Sequence, residues 1–378
     1  MSKRRIHRIL FLSHEFPPFG GGGGRILAYL CDELHKRGFE LTVLTASPPA
    51  KIRQQFPFRV VYFPTFRKAR FKTSVPAMIL YILQTFFFGL SGKAKGYDLL
   101  FSNMAIPAGI VGSVLRRILN VPHVVWYHNT EVTQNRPDRA GFFFRMMCNS
   151  VGKQADMNFF ISKGLLDLAL TYGPVPSPSV LPNAVCIHQS FPRRYEKGEK
   201  IFLFAARMES VKNPLLLIDA VRILKEQGLP AETRILMFGS GSLYKKVKER
   251  IIRYGLENTV SLEPVLLFEK MPELYSRSYA LLIPSVVEGF PTTILEAGAF
   301  GVPAIGSDTI GNRDAIINRE TGILVRLNDC ENLADAMHKL ASDPSLRNRL
   351  GEAAFARSKE FTIQRTAGTF VSALDSGL

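Results

Sequence analysis

Cysteine is scarce in this chain of 378 residues, and no two lie close in sequence. Cys31, Cys148, Cys186 and Cys330 form no Cys-x-x-Cys pair, so neither a zinc site nor a secreted disulfide framework is written here. A reducing cytoplasm is the expected home. Asp-x-Asp and the Walker sequence GxxxxGK[ST] are both absent. That argues against a transferase that grips its donor through a metal on Asp-x-Asp, and against a P-loop. No apolar run reaches the roughly 20 residues a spanning helix needs. The longest, VPAMILYILQTFFFGL at Val75–Leu90, has 16 residues including a proline and a glutamine. Met1-Ser-Lys-Arg-Arg resembles the start of a signal peptide, but Ile9–Leu12 is too short for its apolar core and reads as a first strand. Acidic residues are sparse in one half only. Residues 1–190 carry 23 basic and 9 acidic side chains, and residues 191–378 carry 25 and 23, so +14 of the net +16 lies in the first half. Such asymmetry calls for a polyanion facing that half: membrane lipid, nucleic acid or a phosphorylated substrate. Nucleic acid is disfavoured, because no RRM, KH or helix-turn-helix signature accompanies the charge.

What is present is an α/β rhythm long enough for two domains. With 46% hydrophobic and 21% charged residues, the chain can bury cores of ordinary size. Arg8–Ser13 reads as a buried strand, followed by FPPFGGGGGR and an amphipathic helix through Leu27, Leu30, Cys31 and Leu34 that stops at Gly38. Strand-like runs recur at 41–45, 60–63, 99–101, 124–126 and 158–161, with helix-length segments between them. This is the pattern of a parallel sheet wrapped by helices. A proline-rich, charged stretch at 174–200 reads as the linker. The pattern then restarts with strands at 201–206, 234–238, 260–262, 280–283 and 302–305, and Asn213 is placed to cap a helix that begins at Pro214. The expected division is 1–190, 191–359 and a helix-compatible segment 360–378 that could pack back on the first domain.

Three loops could carry chemistry. Gly20–Gly24, between a strand and a helix, leaves N–H groups unshielded for an anion, or is simply a loop without a ligand. A dinucleotide site is weaker, since the second strand ends Leu-Thr-Ala-Ser and offers no acid for a ribose; no NAD and no other cofactor is expected. In PSVVEGFPTTILE, Glu288 follows a strand and Glu296 lies in the next helix, with Pro291, Thr292 and Thr293 between them. A diphosphate could sit on those N–H groups while the carboxylates accept hydroxyl hydrogen bonds at either end. The plain alternative is a turn acid and a solvated helix residue. Arg207 and Lys212, in one βα loop, form a diphosphate clamp or are ordinary surface cations.

Together these residues resemble a retaining glycosyltransferase of family 4, with the GT-B architecture of two facing Rossmann-like domains and an interdomain cleft. The resemblance covers nearly the whole chain. It rests on FPPFGGGGGR, Trp126-Tyr-His128-Asn, Ser162 after a strand, Leu181-Pro-Asn183-Ala-Val, Arg207 with Lys212, Phe238-Gly-Ser-Gly241 and EGFPTTILEAGAFGVPAIGSD. It implies that Arg207 and Lys212 bind the donor diphosphate and neutralise the departing nucleotide. Glu288 then holds donor-sugar hydroxyls and Glu296 the ribose. His128 lies near the transferred sugar, and Gly22 or Gly23 near the β-phosphate. Gly239 and the main chain of Gly289, Phe290, Pro291, Thr292 and Thr293 complete the donor site. Glu288, His128, Arg207 and Lys212 are the expected catalytic set, with no metal. Pro291 stands where the common motif has glycine. Gly311-Asn-Arg-Asp314 replaces the more frequent Gly-x-Pro-Glu, which leaves the role of that loop open.

The implied reaction moves a hexose-type sugar from a nucleotide-sugar, a UDP-sugar on family frequency, to a lipid-linked, glycolipid or polysaccharide acceptor. The rival readings are a non-catalytic GT-B lipid-binding partner subunit and a sugar-nucleotide epimerase of the same fold. Arg67, Lys68, Arg70 and Lys72 precede the apolar segment 75–90, and Lys93 and Lys95 follow it. That flanking predicts an in-plane anchor on anionic lipid and a cytoplasmic, peripherally membrane-associated protein. The competing reading of 75–90 is a buried helix with a solvated basic rim. Phe142–Cys148 is read either as a second apolar face or as core.

Overall fold

The computed structural model describes residues 6–378 apart from 19, 48–53, 66–73, 129, 134–138, 186–197, 231 and 265–269. Arg67, Lys68, Arg70 and Lys72, Cys186 and residues 186–197 of the expected linker therefore lie outside the described residues. The chain divides into two compact units, 1–183 with 363–378, and 184–362.

The first unit holds seven parallel strands: β1 (Arg8–Leu12), β2 (Glu40–Ala46), β3 (Arg59–Phe63), β4 (Leu99–Asn103), β5 (His123–Tyr127), β6 (Met157–Phe160) and β7 (Pro178–Val180). They lie in the order β3-β2-β1-β4-β5-β6-β7. Helices on the sheet faces explain why the central strands read as unbroken apolar runs; Ile9–Leu12 is wholly buried. The helix Gly22–Lys36 buries Ile26, Leu27, Leu30, Cys31 and Leu34, and it ends where Gly38 takes a φ of +91°.

The second unit has β8 (Lys200–Ala205), β9 (Thr233–Phe238), β10 (Val260–Glu263), β11 (Ala280–Ile283), β12 (Ala304–Ser307) and β13 (Gly322–Val325). All are parallel, in the order β10-β9-β8-β11-β12-β13. In both sheets the order of strands thus reverses once, between β1 and β4 and between β8 and β11, while every strand stays parallel. In open α/β sheets, the crevice beyond the strand C-termini at such a reversal is where ligands bind.

Several boundaries differ from the sequence reading. The first division falls at 183/184, not 190/191, because Val185 bridges Thr362 and donates to the Phe361 carbonyl. The last helix, Ile363–Gly377, belongs to the first unit, where Phe370 packs on Phe101 and Phe159. Asn213 precedes the helix Pro214–Glu226 without capping it. Its backbone is left-handed (φ +53°), and its amide donates to Asn328 Oδ1 at 3.0 Å. β7 and β13, three and four residues long and opening on Pro178 and Gly322, were invisible to a search for apolar runs.

The helix Val75–Leu90 is capped by Ser74, whose side chain accepts from the Ala77 N–H. One face is core. Tyr81 donates to the Leu44 carbonyl at 3.0 Å, and Phe88 meets Phe63. The opposite face, Val75, Ile79, Leu83, Phe87 and Leu90, is apolar and exposed. Phe142, Phe143, Met146 and Met147 of the helix Arg139–Gln154 are exposed as well, while Cys148 is buried. No helix among the described residues is long and apolar enough to cross a membrane.

Candidate functional site

At the reversal in the second unit, the loop after β8 carries Arg207 and Lys212, and the loop after β11 carries Glu288. The two loops are tied by the Val286 N–H, which donates to the Val211 carbonyl at 2.9 Å. Lys212 Nζ meets Glu288 Oε1 at 2.6 Å, with the Glu288 side chain almost entirely buried. An ammonium and a carboxylate 76 residues apart in sequence are therefore one charge-assisted pair at the mouth of the sheet. Arg207 differs: its side chain is exposed and has no ion-pair partner among the described residues.

The Arg207 backbone is nonetheless held from behind. The Met208 N–H donates to the Ser240 carbonyl at 2.9 Å, and Ser242 Oγ donates to Glu209 Oε2 at 2.6 Å. Gly239, with φ +153°, comes so close that a Cβ there would lie 1.9 Å from the Ala206 carbonyl oxygen. Gly239 thus supports the cation loop from below, a role its place in Phe238-Gly-Ser-Gly241 does not reveal.

The remaining expected residues lie on the next turn. Phe290 is buried against Phe361 at 5.0 Å, so its side chain is occupied by packing and only its main chain could face a ligand. Pro291 precedes the helix Thr292–Gly298, and its β-region φ of −72° shows how proline is accommodated there. Thr292 is buried and Thr293 partly so. Glu296 is half-buried and accepts from the Tyr275 hydroxyl at 2.8 Å, a partner that no motif marks. Gly289 is packed by Gly311, where a Cβ would fall 2.5 Å from the Gly289 carbonyl carbon. The Gly311 N–H donates to the Glu288 carbonyl. Gly311–Asp314, expected as a loop, lies in the short helix Ile310–Ala315, capped by Thr309, and the start of that helix braces the Glu288–Gly289 turn. Arg313 points elsewhere, pairing with exposed Asp308.

At the reversal in the first unit, β1 leads to Ser13 and β4 ends at Asn103. Asn103 Nδ2 donates to Ser13 Oγ at 2.9 Å, and its Oδ1 lies 2.6 Å from His128 Nε2, just past β5. The His128 ring is buried and tilted on Trp126 with centroids 4.6 Å apart. Burial lowers its pKa to about 3, so the ring is neutral at physiological pH. His128 and Gly23 meet: a Cβ on Gly23 would stand 3.3 Å from His128 Nδ1. Gly22 is exposed and Gly23 half-buried at the helix start, but the preceding Gly21 N–H already donates to Glu15 Oε2 at 2.9 Å. The glycine run is therefore braced by an acid of the same chain. Sequence reasoning found His128 and Gly23 and missed Asn103 and Ser13, which no motif marks. Among the described residues, no three His, Cys, Asp or Glu side chains gather as a metal ion would need.

Residues 20–189 match Glycosyltransferase Family 4, and residues 188–357 match Glycosyl transferases group 1. An uncharacterized glycosyltransferase of Methanocaldococcus jannaschii is 25% identical over 277 residues, covering 72% of this chain and 74% of that protein. The UDP-Gal:alpha-D-GlcNAc-diphosphoundecaprenol alpha-1,3-galactosyltransferase of Escherichia coli is also 25% identical, covering 67% and 69%. Among solved structures, sucrose-phosphate synthase from Thermosynechococcus elongatus superposes with a TM-score of 0.84 at 20% identity, over 97% of this chain and 98% of that one. The lipopolysaccharide outer core galactosyltransferase WaaB in its apo form gives 0.74 at 19%, over 98% and 100%. At these identities the structural likeness speaks to fold, and the fold is GT-B.

Proposed function

The chain belongs to the family 4 glycosyltransferases, its two matched domains together running from residue 20 to residue 357, and on that premise we propose that it is a retaining hexosyltransferase. It takes a hexose from a nucleotide-sugar, a UDP-sugar, and passes it to a lipid-linked, glycolipid or polysaccharide acceptor at a membrane face. The observation that carries this reading is the Lys212–Glu288 pair at the sheet reversal, with exposed Arg207, which has no ion-pair partner among the described residues, on the loop of Lys212.

Glycosyl transfer runs through an oxocarbenium-like transition state as the nucleotide diphosphate departs. Negative charge then grows on the leaving group, and preorganised cations beside it stabilise that state more than the ground state. Arg207 supplies a planar fork for two phosphate oxygens. Lys212 is presented by Glu288, whose buried carboxylate holds the partly exposed ammonium in place. The remaining Glu288 oxygen is left to accept a sugar hydroxyl, and Glu296 a ribose hydroxyl. These roles need no metal. The acceptor attacks on the face the leaving group vacates, so configuration is retained. A lipid-linked acceptor and a UDP donor are supported by the name of the Escherichia coli relative, which has both.

The membrane part of the reading draws on the exposed apolar stripe of Val75–Leu90 beside the exposed Lys93 and Lys95. A helix that buries one apolar face and shows another, in the half of the chain that holds +14, suits the surface of an anionic bilayer.

Thermal unfolding with a panel of UDP, GDP and ADP tests the donor site. UDP is expected to raise the melting temperature of the wild type and to lose that effect in Arg207→Ala. Absence of stabilisation by all three nucleotides would contradict the enzyme reading and favour a non-catalytic lipid-binding subunit.

A further inference from the structure

The protons around His128 follow from its neighbours. Ser13 Oγ donates its hydrogen to the Glu15 carbonyl at 2.6 Å, so toward Asn103 it can only accept. Asn103 therefore turns its Nδ2 to Ser13, at 2.9 Å, and its Oδ1 to His128. An amide oxygen accepts and never donates. His128 Nε2, 2.6 Å from Asn103 Oδ1, must carry a hydrogen. In a neutral ring this leaves the lone pair on Nδ1. Nδ1 has no hydrogen-bond partner among the described residues, and it faces the place where Gly23 lacks a side chain. A Cβ at position 23 would lie 3.3 Å from Nδ1 and 3.0 Å from the Met104 methyl. Glycine keeps that lone pair uncovered.

The family resemblance already sets His128 beside the transferred sugar; we propose that Ser13 and Asn103 are positioning residues that lock it as the neutral Nε2–H tautomer, so that Nδ1 above Gly23 is presented there only as an acceptor. That a sugar lies there rests on the glycosyltransferase reading. The proton order does not. The arrangement makes His128 an acceptor only: it discriminates for a substrate hydroxyl and against an ether, a fluorine or a bare carbon at that position. The relay spans the sheet reversal, since Ser13 follows β1 and Asn103 ends β4.

Long-range ¹⁵N–¹H correlation spectra of the imidazoles in the full chain test the proposal without any substrate. The chain has seven histidines, and the His128 signals are those missing from His128→Gln. At neutral pH the wild type is expected to show Nε2 protonated and Nδ1 bare. Ser13→Ala releases the Asn103 amide to turn, and a mixture of tautomers is expected. An Nδ1–H ring or an imidazolium in the wild type would overturn the proposal. A pure Nε2–H pattern persisting in Ser13→Ala would overturn the relay. Kinetics supply the second readout: Gly23→Ala covers Nδ1 and should raise KM for the donor about tenfold with the tautomer unchanged. Unchanged KM would remove the hydroxyl contact. If the spectra are as expected and no sugar is transferred, the glycosyltransferase reading fails and the proton order stands; turnover with the wrong tautomer is the converse.

Discussion

Lys212 and Glu288 form a pair whose worth differs between folding and catalysis. In the folded chain Lys212 is partly exposed, so removing it leaves Glu288 with one charge-assisted bond fewer, a loss of about 1–3 kcal/mol. On the proposed reaction the same ammonium faces the negative charge that develops on the departing diphosphate, where it is worth several kcal/mol. Lys212→Ala should therefore lower the transfer rate by two to three orders of magnitude while shifting the melting temperature by only a few degrees. Near-normal turnover would refute the clamp. The histidines make a second prediction at this scale. Burial lowers the pKa of both His128 and His123 to about 3, with Arg116 adding to the effect on His123. An unfolded chain binds protons at these positions below about pH 6.5, and the native chain does not until far lower pH. Stability contributed by the neutral rings is thus present above pH 6.5 and lost as pH falls. Each ring gives a slope of about 1.4 kcal/mol per pH unit. Urea midpoints should drop between pH 6.5 and 5, before ordinary carboxylates titrate. His128→Gln should flatten the slope, and pH-independent midpoints over that window would contradict the account.

Helices show what amphipathicity could and could not reveal. The helix Ile363–Gly377 was legible as helix from its sequence, but nothing local said that Phe370 completes the core beside Phe101 and Phe159. Phe370→Ala should cost about 3–5 kcal/mol, measured by chemical denaturation. A loss under 1 kcal/mol would mean the helix is not part of the first unit's core. Val75–Leu90 was legible as apolar; one face is buried, as the buried-helix reading expects, and the other is exposed. Tyr81 and Phe88 pack inward, while Phe87 is 62% exposed. Ile79→Glu with Phe87→Glu should leave the unfolding midpoint unchanged and weaken binding to anionic vesicles. Charge reversal at Arg67, Lys68, Arg70 and Lys72 should do so in a salt-dependent manner. Unaltered vesicle binding in both variants would remove the lipid surface from the account.

For the molecule as a whole, the strand rhythm, the two-sheet plan and the family were readable because buried parallel strands leave long apolar runs and because the β8 and β11 loops carry distinctive residues. The unit boundaries were less readable, since they depend on where Val185 and Phe370 find partners, not on composition. Arg207, Lys212, Glu288 and Glu296 in the second unit and His128 in the first were singled out by their places in motifs that resemble the family's. The residues they touch or rest on were not: Asn103, Ser13, Tyr275, Gly239 and Gly311 act through pairings 21 to 90 residues apart or through close backbone approach. The net charge divides unevenly as well, with +14 of the +16 in the first half, while the paired cation Lys212 and the exposed Arg207 lie on one short loop of the second.

The central claim is retaining transfer of a hexose from a nucleotide-sugar. Product analysis with α-linked UDP-hexoses and diphosphate-lipid acceptors tests it most directly, read by NMR of the new linkage and by release of UDP. The account predicts an α-linked product, UDP released one for one, and the same yield in the presence of a chelator. A β-linked product, or donor and lipid both recovered unchanged across the panel, would contradict it.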